Sequence, residues 1–516
     1  MSLDAVGLEV MGHAFASIAE EMGLVLIHSA VSPNIRERRD CSAALFDAAG
    51  AMIAQAAHIP VHLGALHESV AAVRVLAPAP GDVFILNDPY AGGSHLPDIT
   101  LVGAVEVDGA VGGYGVVRAH HSDVGGMQAG SMPAGARELF AEGVVVPPLR
   151  LTPEVERFLL ANVRTPEARR ADLAAQRAAV ERGADGLRAL AARHGWAALC
   201  DAAHDLQEYA ERRAREALAR LEATGLTATD WLEGDGVDDR DLAIHVRVDI
   251  RDGAFHADFT GTAPAARGNV NCPLAVARSA VLFVVRTLLP EDVPTNGGVT
   301  RVVRVTAPEG CLVHARFPSA VAAGNVETSQ RIADTVFLAL ANGGLPVPAQ
   351  GQGTMNNVTF GGTGERGRGT GGWTYYETIG GGQGASPGAC GPSGVHVGMS
   401  NTRNTPVEVL EMEYPLRLKT YSLRRGSGGA GRWSGGDGVI REFEALAPMD
   451  ASFLSERRRH APSGVGGGAG GAPGRTLVNG APLPPKLSTR LAAGDVVRIE
   501  TPGGGGWGQP EPGGGR

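Results

Sequence analysis

Clustered cysteine is the first thing missing from this sequence. Its five cysteines, Cys41, Cys200, Cys272, Cys311 and Cys390, are odd in number, scattered and never spaced as CxxC. That excludes a disulfide framework and a thiolate zinc site. A basic balance is missing too. The net charge is −9 at pH 7, which leaves no patch to neutralise phosphates, so no nucleic-acid partner is expected. The run Arg457-Arg458-Arg459 reads as a solvated or ion-paired patch. No GxxxxGK[ST] string occurs, so this chain has no phosphate-binding loop of that kind for a nucleotide. No uninterrupted apolar run reaches the ~18 residues of a membrane span. The opening segment MSLDAVGLEVMGHAFASIAEEMG is an amphipathic, acid-containing helix pattern without the basic flank of a signal peptide. A cytoplasmic protein with no membrane partner is the expectation.

What is abundant is glycine, 74 of 516 residues, about twice the average usage of ~7%. The glycines are spread among hydrophobic runs and read as turns and close backbone approaches. Only 501–516 has the look of a loose tail. The length exceeds the ~250–300 residues at which single cores stop growing, and three zones emerge. Residues 1–150 open with a helix and then alternate short apolar strands with turns (AALFDAAGAMIAQ, GDVFILNDPY, ITLVGAVEV, VGGYGVVRAHH). Residues 151–225 carry helical spacing and composition, with Gly183 and Gly186 as possible breaks. Residues 226–516 are glycine-rich and β-containing, with one helix expected over ETSQRIADTVFLALANG. Asp47–Gly50 and Asp252-Gly253 predict hairpin turns. The class is α+β, multi-domain, with mixed sheets and a helical insert.

The chemistry concentrates between Asp40 and Gly126. Two H-x-x-D units, His95 to Asp98 and His120-His121 to Asp123, each follow a strand-like run and are bordered by glycines. Imidazole nitrogen with carboxylate oxygen suits Zn, Mn or Fe in an open site. Asp40 enters an apolar strand, where a carboxylate is costly unless paired or metal-bound, and is a further candidate ligand. Asp88 is a candidate to orient a ligand histidine. Residue type alone does not separate His120 from His121. Asp123 is a candidate orienter or general base. His58 and His62 flank Pro60, which argues against a helical i, i+4 pair, and both read as structural. Asn325, Glu327, Thr328 and Ser329 form a polar helix start, read as ordinary capping. The polar segment with Gly380-Gly381-Gly382, His396, Asn401 and Asn404 reads as a long functional loop.

The strings NIRERRDCSAALFD, HIPVHLGALHESV, NDPYAGGSHLPDITLV, HHSDVGG, DFTGTAP, GNVETSQRI, NTRNTPVEVLE, SLRRGSGGAGRWSGGDG and TPGGGGWG resemble, in order, the hydantoinase B/oxoprolinase family. The resemblance implies a B-type subunit that works with an actin-like, ATP-binding hydantoinase A-type subunit in a hetero-oligomer. It also implies ATP-dependent opening of a cyclic amide: 5-oxoproline, a hydantoin or a lactam. Carried onto this sequence, the family's metal ligands are Asp40, His95, Asp98 and His120, leaving His121 and Asp123 as candidate catalytic groups. ATP and Mg are expected on the partner subunit. Related complexes carboxylate ketones, the alternative activity; a non-catalytic scaffold is the third.

Overall fold

A computed structural model describes residues 4–362 and 372–510; the reading of a loose tail at 511–516 lies outside the described residues. The first region is a six-stranded sheet of order β2-β1-β5-β4-β3-β6, with β1 Cys41–Asp47, β2 Met52–Ala57, β3 Val83–Leu86, β4 Asp98–Val107, β5 Ala110–His120 and β6 Leu149–Arg150. All of its pairings are antiparallel. The predicted turn at Asp47–Gly50 joins β1 to β2.

Both faces of this sheet are covered, which explains its near-continuous apolar strands. Ala43, Leu45, Ile99, Leu101, Val117 and Ala119 face one core with α1 (Ala5–Ser29). Ala44, Phe46, Val102, Ala104 and Val116 face the other, where α3 (Ala65–Arg74) supplies Leu66, Val70 and Val73; α2 (Pro33–Arg36) adds Ile35 to the first core. Period-two alternation puts neighbouring residues of each strand into different cores.

The helical zone holds α4 (Pro153–Ala161), α5 (Pro166–His194) and α6 (Trp196–Ala219). The glycines expected as breaks are not breaks: α5 runs unbroken through them. A Cβ at Gly183 would stand 2.5 Å from Met22 Sδ, and one at Gly186 would stand 2.7 Å from Ile18 Cγ2. They are glycine so that α1 and α5 can touch. α1 has the length and mean apolarity to cross a membrane. In this fold, its Phe15, Ile18, Met22 and Leu26 are core residues.

The third zone begins with β7 (Ala223–Glu233), β8 (Asp241–Arg251), β9 (Ala254–Asp258) and β10 (Val303–Thr306), in sheet order β10-β9-β8-β7. They share a core with α7 (Leu274–Leu288) and α9 (Ser329–Asn342), while α8 (Gly297–Arg301) packs on α6. Two further sheets, β12-β11-β15-β18 and β13-β14-β19-β16-β17, meet over Val358, Phe360, Tyr375, Phe443, Val497 and Ile499. Their strands are β11 (Asn357–Gly362), β12 (Trp373–Glu377), β13 (Leu416–Arg424), β14 (Gly438–Ala445), β15 (Met449–Leu454), β16 (Arg475–Val478), β17 (Ala481–Pro482), β18 (Lys486–Leu491) and β19 (Val496–Glu500). The 501–510 part of the expected loose tail is instead packed. Thr501–Gly506 are buried, and Gly504, Gly505 and Gly506 donate N–H groups to Gly436, Gln350 and Ala469 carbonyls. A Cβ on Gly504 would sit 2.0 Å from Gln383 O, so only glycine lets this strand thread between loops.

Candidate metal centre

β4 and β5 position the site. Asp98 opens β4 and pairs directly opposite His120, the last residue of β5. His95 precedes Asp98 by one tight turn, closed by Asp98 N–H donating to His95 O at 3.1 Å. One ligand atom each from His95, Asp98 and His120 lie within 4.8 Å of one another, all buried. His95 Nε2, Asp98 Oδ1 and His120 Nε2 have no hydrogen-bond partner among the described residues. Such orphans cost about 1–3 kcal/mol each in a dry interior. A divalent ion taking all three removes that cost, so the donor set fits Zn, Mn or Fe. The far nitrogens are held: His95 Nδ1 lies 3.4 Å from Ala322 O, and His120 Nδ1 lies 3.0 Å from the Asn34 side-chain amide.

Burial opposes a charge on Asp98, but His95 and His62 more than offset it and hold its carboxyl well below the usual range. Burial, then His95, pushes the His120 imidazole well below its ordinary pKa. Asp40 immediately precedes β1 and lines the same cavity. Burial raises its pKa, partly countered by Arg38.

His121 and Asp123, expected as catalytic, do not join the cluster. Strand alternation turns His121 to the opposite face of the sheet, where Nε2 meets Gln176 Oε1 at 2.9 Å. Asp123 spends its carboxylate on Gly125, Gly130 and Arg164 N–H groups and on the Arg164 guanidinium, at 3.0–3.1 Å. It organises a loop and leaves no lone pair for proton transfer. Asp88 caps its own turn through Tyr90 N–H at 2.9 Å and does not orient a histidine among the described contacts.

The residues that sequence reasoning passed over complete the centre. As Pro60 implies, no α-helix spans His58 to His62; the proline instead starts a short 3-10 turn, Pro60–His62, as proline at a first helical position does. That turn brings His62 Nε2 to 3.4 Å from Asp98 Oδ2, while His62 Nδ1 meets Ser42 Oγ at 2.9 Å. Asn325 is no capping residue. It lies in a π-helical segment, Gly324–Thr328, and its Nδ2 donates to Asp98 Oδ2 at 3.3 Å. Tyr376 of β12 stacks on His120 with ring centroids 4.3 Å apart. Arg38, wholly buried, donates to Asn34 Oδ1, Tyr376 O, Thr378 Oγ1 and Thr402 Oγ1. The cavity beside the cluster measures about 20 Å³ and is lined also by Thr378, Ser400 and Thr402. Asn401, next to two of these lining residues, donates its Nδ2 to His58 O at 2.9 Å. The ligands come from the first 120 residues, but the chamber is closed by β12 and the 400–402 segment.

Residues 4–510 match the family model for hydantoinase B/oxoprolinase. This chain belongs to that family. It is 38% identical to an uncharacterised protein of Methanocaldococcus jannaschii, over 98% of this chain and 91% of that one. It is 38% identical to a 5-oxoprolinase of Saccharomyces cerevisiae, over 99% of this chain but 42% of the yeast protein. The chain thus spans less than half the length of that relative. Among solved structures, the ATP-dependent caprolactamase from Pseudomonas jessenii superposes with a TM-score of 0.89 at 27% identity, over 99% of this chain and 92% of that chain.

Proposed function

We propose that this chain is the B-type component of an ATP-dependent cyclic-amide hydrolase opening 5-oxoproline, a hydantoin or another lactam ring. The observation that carries the reading is the buried trio His95, Asp98 and His120, whose unpartnered atoms converge in a chain similar to 5-oxoprolinases and a caprolactamase. His95, Asp98 and His120 hold a divalent ion, with Asp40 beside them. When bound, that ion supplies Lewis acidity where the amide carbonyl is attacked. ATP and Mg belong to an A-type partner, or to its equivalent in the part of the longer relatives that this chain does not match.

An amide carbonyl is a poor electrophile because resonance retains its electron density; phosphorylation of its oxygen from ATP lifts that obstacle. This chain's residues do the rest by position. Asp98, held ionised, presents a fixed negative charge; Tyr376 covers the His120 ring and keeps water off that side; Arg38 fixes Thr378 and Thr402 as the opposite wall. About 20 Å³ accepts only a water-sized group, so a ring enters only when the chamber widens.

The test is ADP release by the chain co-purified with its A-type partner. Substrates are 5-oxoproline, hydantoins, caprolactam and simple ketones, each with and without bicarbonate. A ring-opened acid formed without bicarbonate supports the proposal. Turnover of ketones alone, and only with bicarbonate, replaces it with a ketone carboxylase. Full turnover by a metal-free His95→Ala variant reduces this chain to a scaffold.

A further inference from the structure

Asn325 has one polar atom committed and one idle. Its Nδ2 donates to Asp98 Oδ2, an oxygen that also accepts from Ser94 Oγ at 2.6 Å. That oxygen already accepts the Ser94 hydroxyl, so the amide nitrogen is the end that faces it; the reverse orientation would set oxygen against oxygen. Oδ1 is therefore the atom left over. It is buried, without a hydrogen-bond partner among the described residues, and belongs to a side chain that lines the chamber.

The backbone at this point is specialised. Gly324–Thr328 is a single π-helical segment leading into α9, a feature concentrated at functional positions. Gly324 permits it: a Cβ there would stand 1.7 Å from Asn271 O. The Ser329 hydroxyl donates to Asn325 O at 2.6 Å, so Asn325 is fixed beside the metal ligands. A buried, unpaired carbonyl oxygen costs about 1–3 kcal/mol until a donor arrives.

We infer that Asn325 Oδ1 accepts the ring N–H of the substrate, making it the residue that selects a cyclic secondary amide over a ring of the same shape without that N–H. This rests on the cyclic-amide reading above and adds to it the atom that recognises the amide edge. A site built around a hydrogen bond rejects an analogue lacking the donor far more strongly than a hydrophobic pocket rejects a methylene.

The probes are 5-oxoproline and 3-oxocyclopentane-1-carboxylate, which has CH2 in place of the ring N–H. Their affinities for the assembled enzyme are compared by competition in wild type, Asn325→Leu and Asn325→Asp, with metal content and thermal midpoint measured alongside. Wild type should prefer the lactam by about 10⁴-fold. Asn325→Leu should bring the ratio to within about threefold at unchanged metal content. Asn325→Asp keeps an acceptor oxygen at this position, so it should retain more of the preference than Asn325→Leu. Equal affinities in wild type overturn the inference while leaving the hydrolase reading intact, and that comparison needs no variant to fold. A lactam preference in Asn325→Leu equal to that of wild type overturns it as well. Failure of every cyclic amide to bind or turn over sinks both.

Discussion

His62 approaches Asp98 through the oxygen that His95 leaves free: His95 Nε2 stands 3.3 Å from Oδ1 and His62 Nε2 stands 3.4 Å from Oδ2. Replacing His62 by glutamine should leave the trio in place but unsettle the carboxylate. The expected outcome is metal bound about 10–100-fold more weakly, the usual cost of losing a group that orients a ligand, read by competition with a chelator. An unchanged affinity would mean that His62 serves only the fold. His95→Ala should lose the metal outright. The trio could be read from the sequence because an H-x-x-D turn brings its ends together and a strand register sets His120 opposite. His121 and Asp123 repeat the motif in letters only. The first is turned away by strand alternation, and the second lies three residues beyond the strand's last paired residue. His62, Asn325 and Tyr376 are brought in by tertiary packing, and nothing local in their sequence announces it.

At the scale of elements, the helical run into α9 starts on a buried acid. Glu142 accepts N–H groups from Val321 at 3.0 Å and Ala322 at 2.8 Å, and Ala322 O is the group facing His95 Nδ1. Burial pushes the Glu142 carboxyl from 4.5 up to about 8, with the two backbone bonds pulling the other way. A carboxyl raised on folding contributes stability that is complete below its unfolded value and is lost as pH rises through the folded one. Glu142 should therefore cost the fold progressively between about pH 4.5 and 8, by roughly 5 kcal/mol in all. Glu142→Gln keeps an acceptor without a titratable charge. Denaturation midpoints of the two proteins should diverge from pH 5 to 9, the variant becoming relatively more stable; parallel curves would refute the assignment. The strands around this helix were legible because turn residues punctuate apolar runs. α7 was not: LAVARSAVLFVVRTL carries four valines in a largely apolar run, which residue type does not separate from a buried strand.

Across the whole molecule, side chains cross between the three zones read from composition. Ile59, Val61 and Met132 of the first zone sit in the core of the third, and Arg38 spans from Asn34 to Thr402. Long-range pairings of this kind leave no periodic trace. Arg457, expected on a solvated or ion-paired patch, is in fact buried. It pairs with Asp230 at 2.9 Å and Asp334 at 2.6 Å, while Arg331 pairs with Asp230 and Glu456, each at 3.2 Å. Lys486 completes the cluster on Glu456. Charges from β7, α9, the segment after β15 and the start of a later strand thus lock two sheets to one helix. Burying such a cluster earns little over an apolar core, but removing one member strands its partners. Arg331→Met leaves Asp230 and Glu456 short of a cation where water cannot reach, and should destabilise the protein by about 3–5 kcal/mol. Because the cluster joins regions, the loss should appear in one unfolding transition, monitored together by calorimetry and by release of the bound metal. Separate transitions, with the metal retained after the first, would show that the sheets fold independently and that the cluster is local.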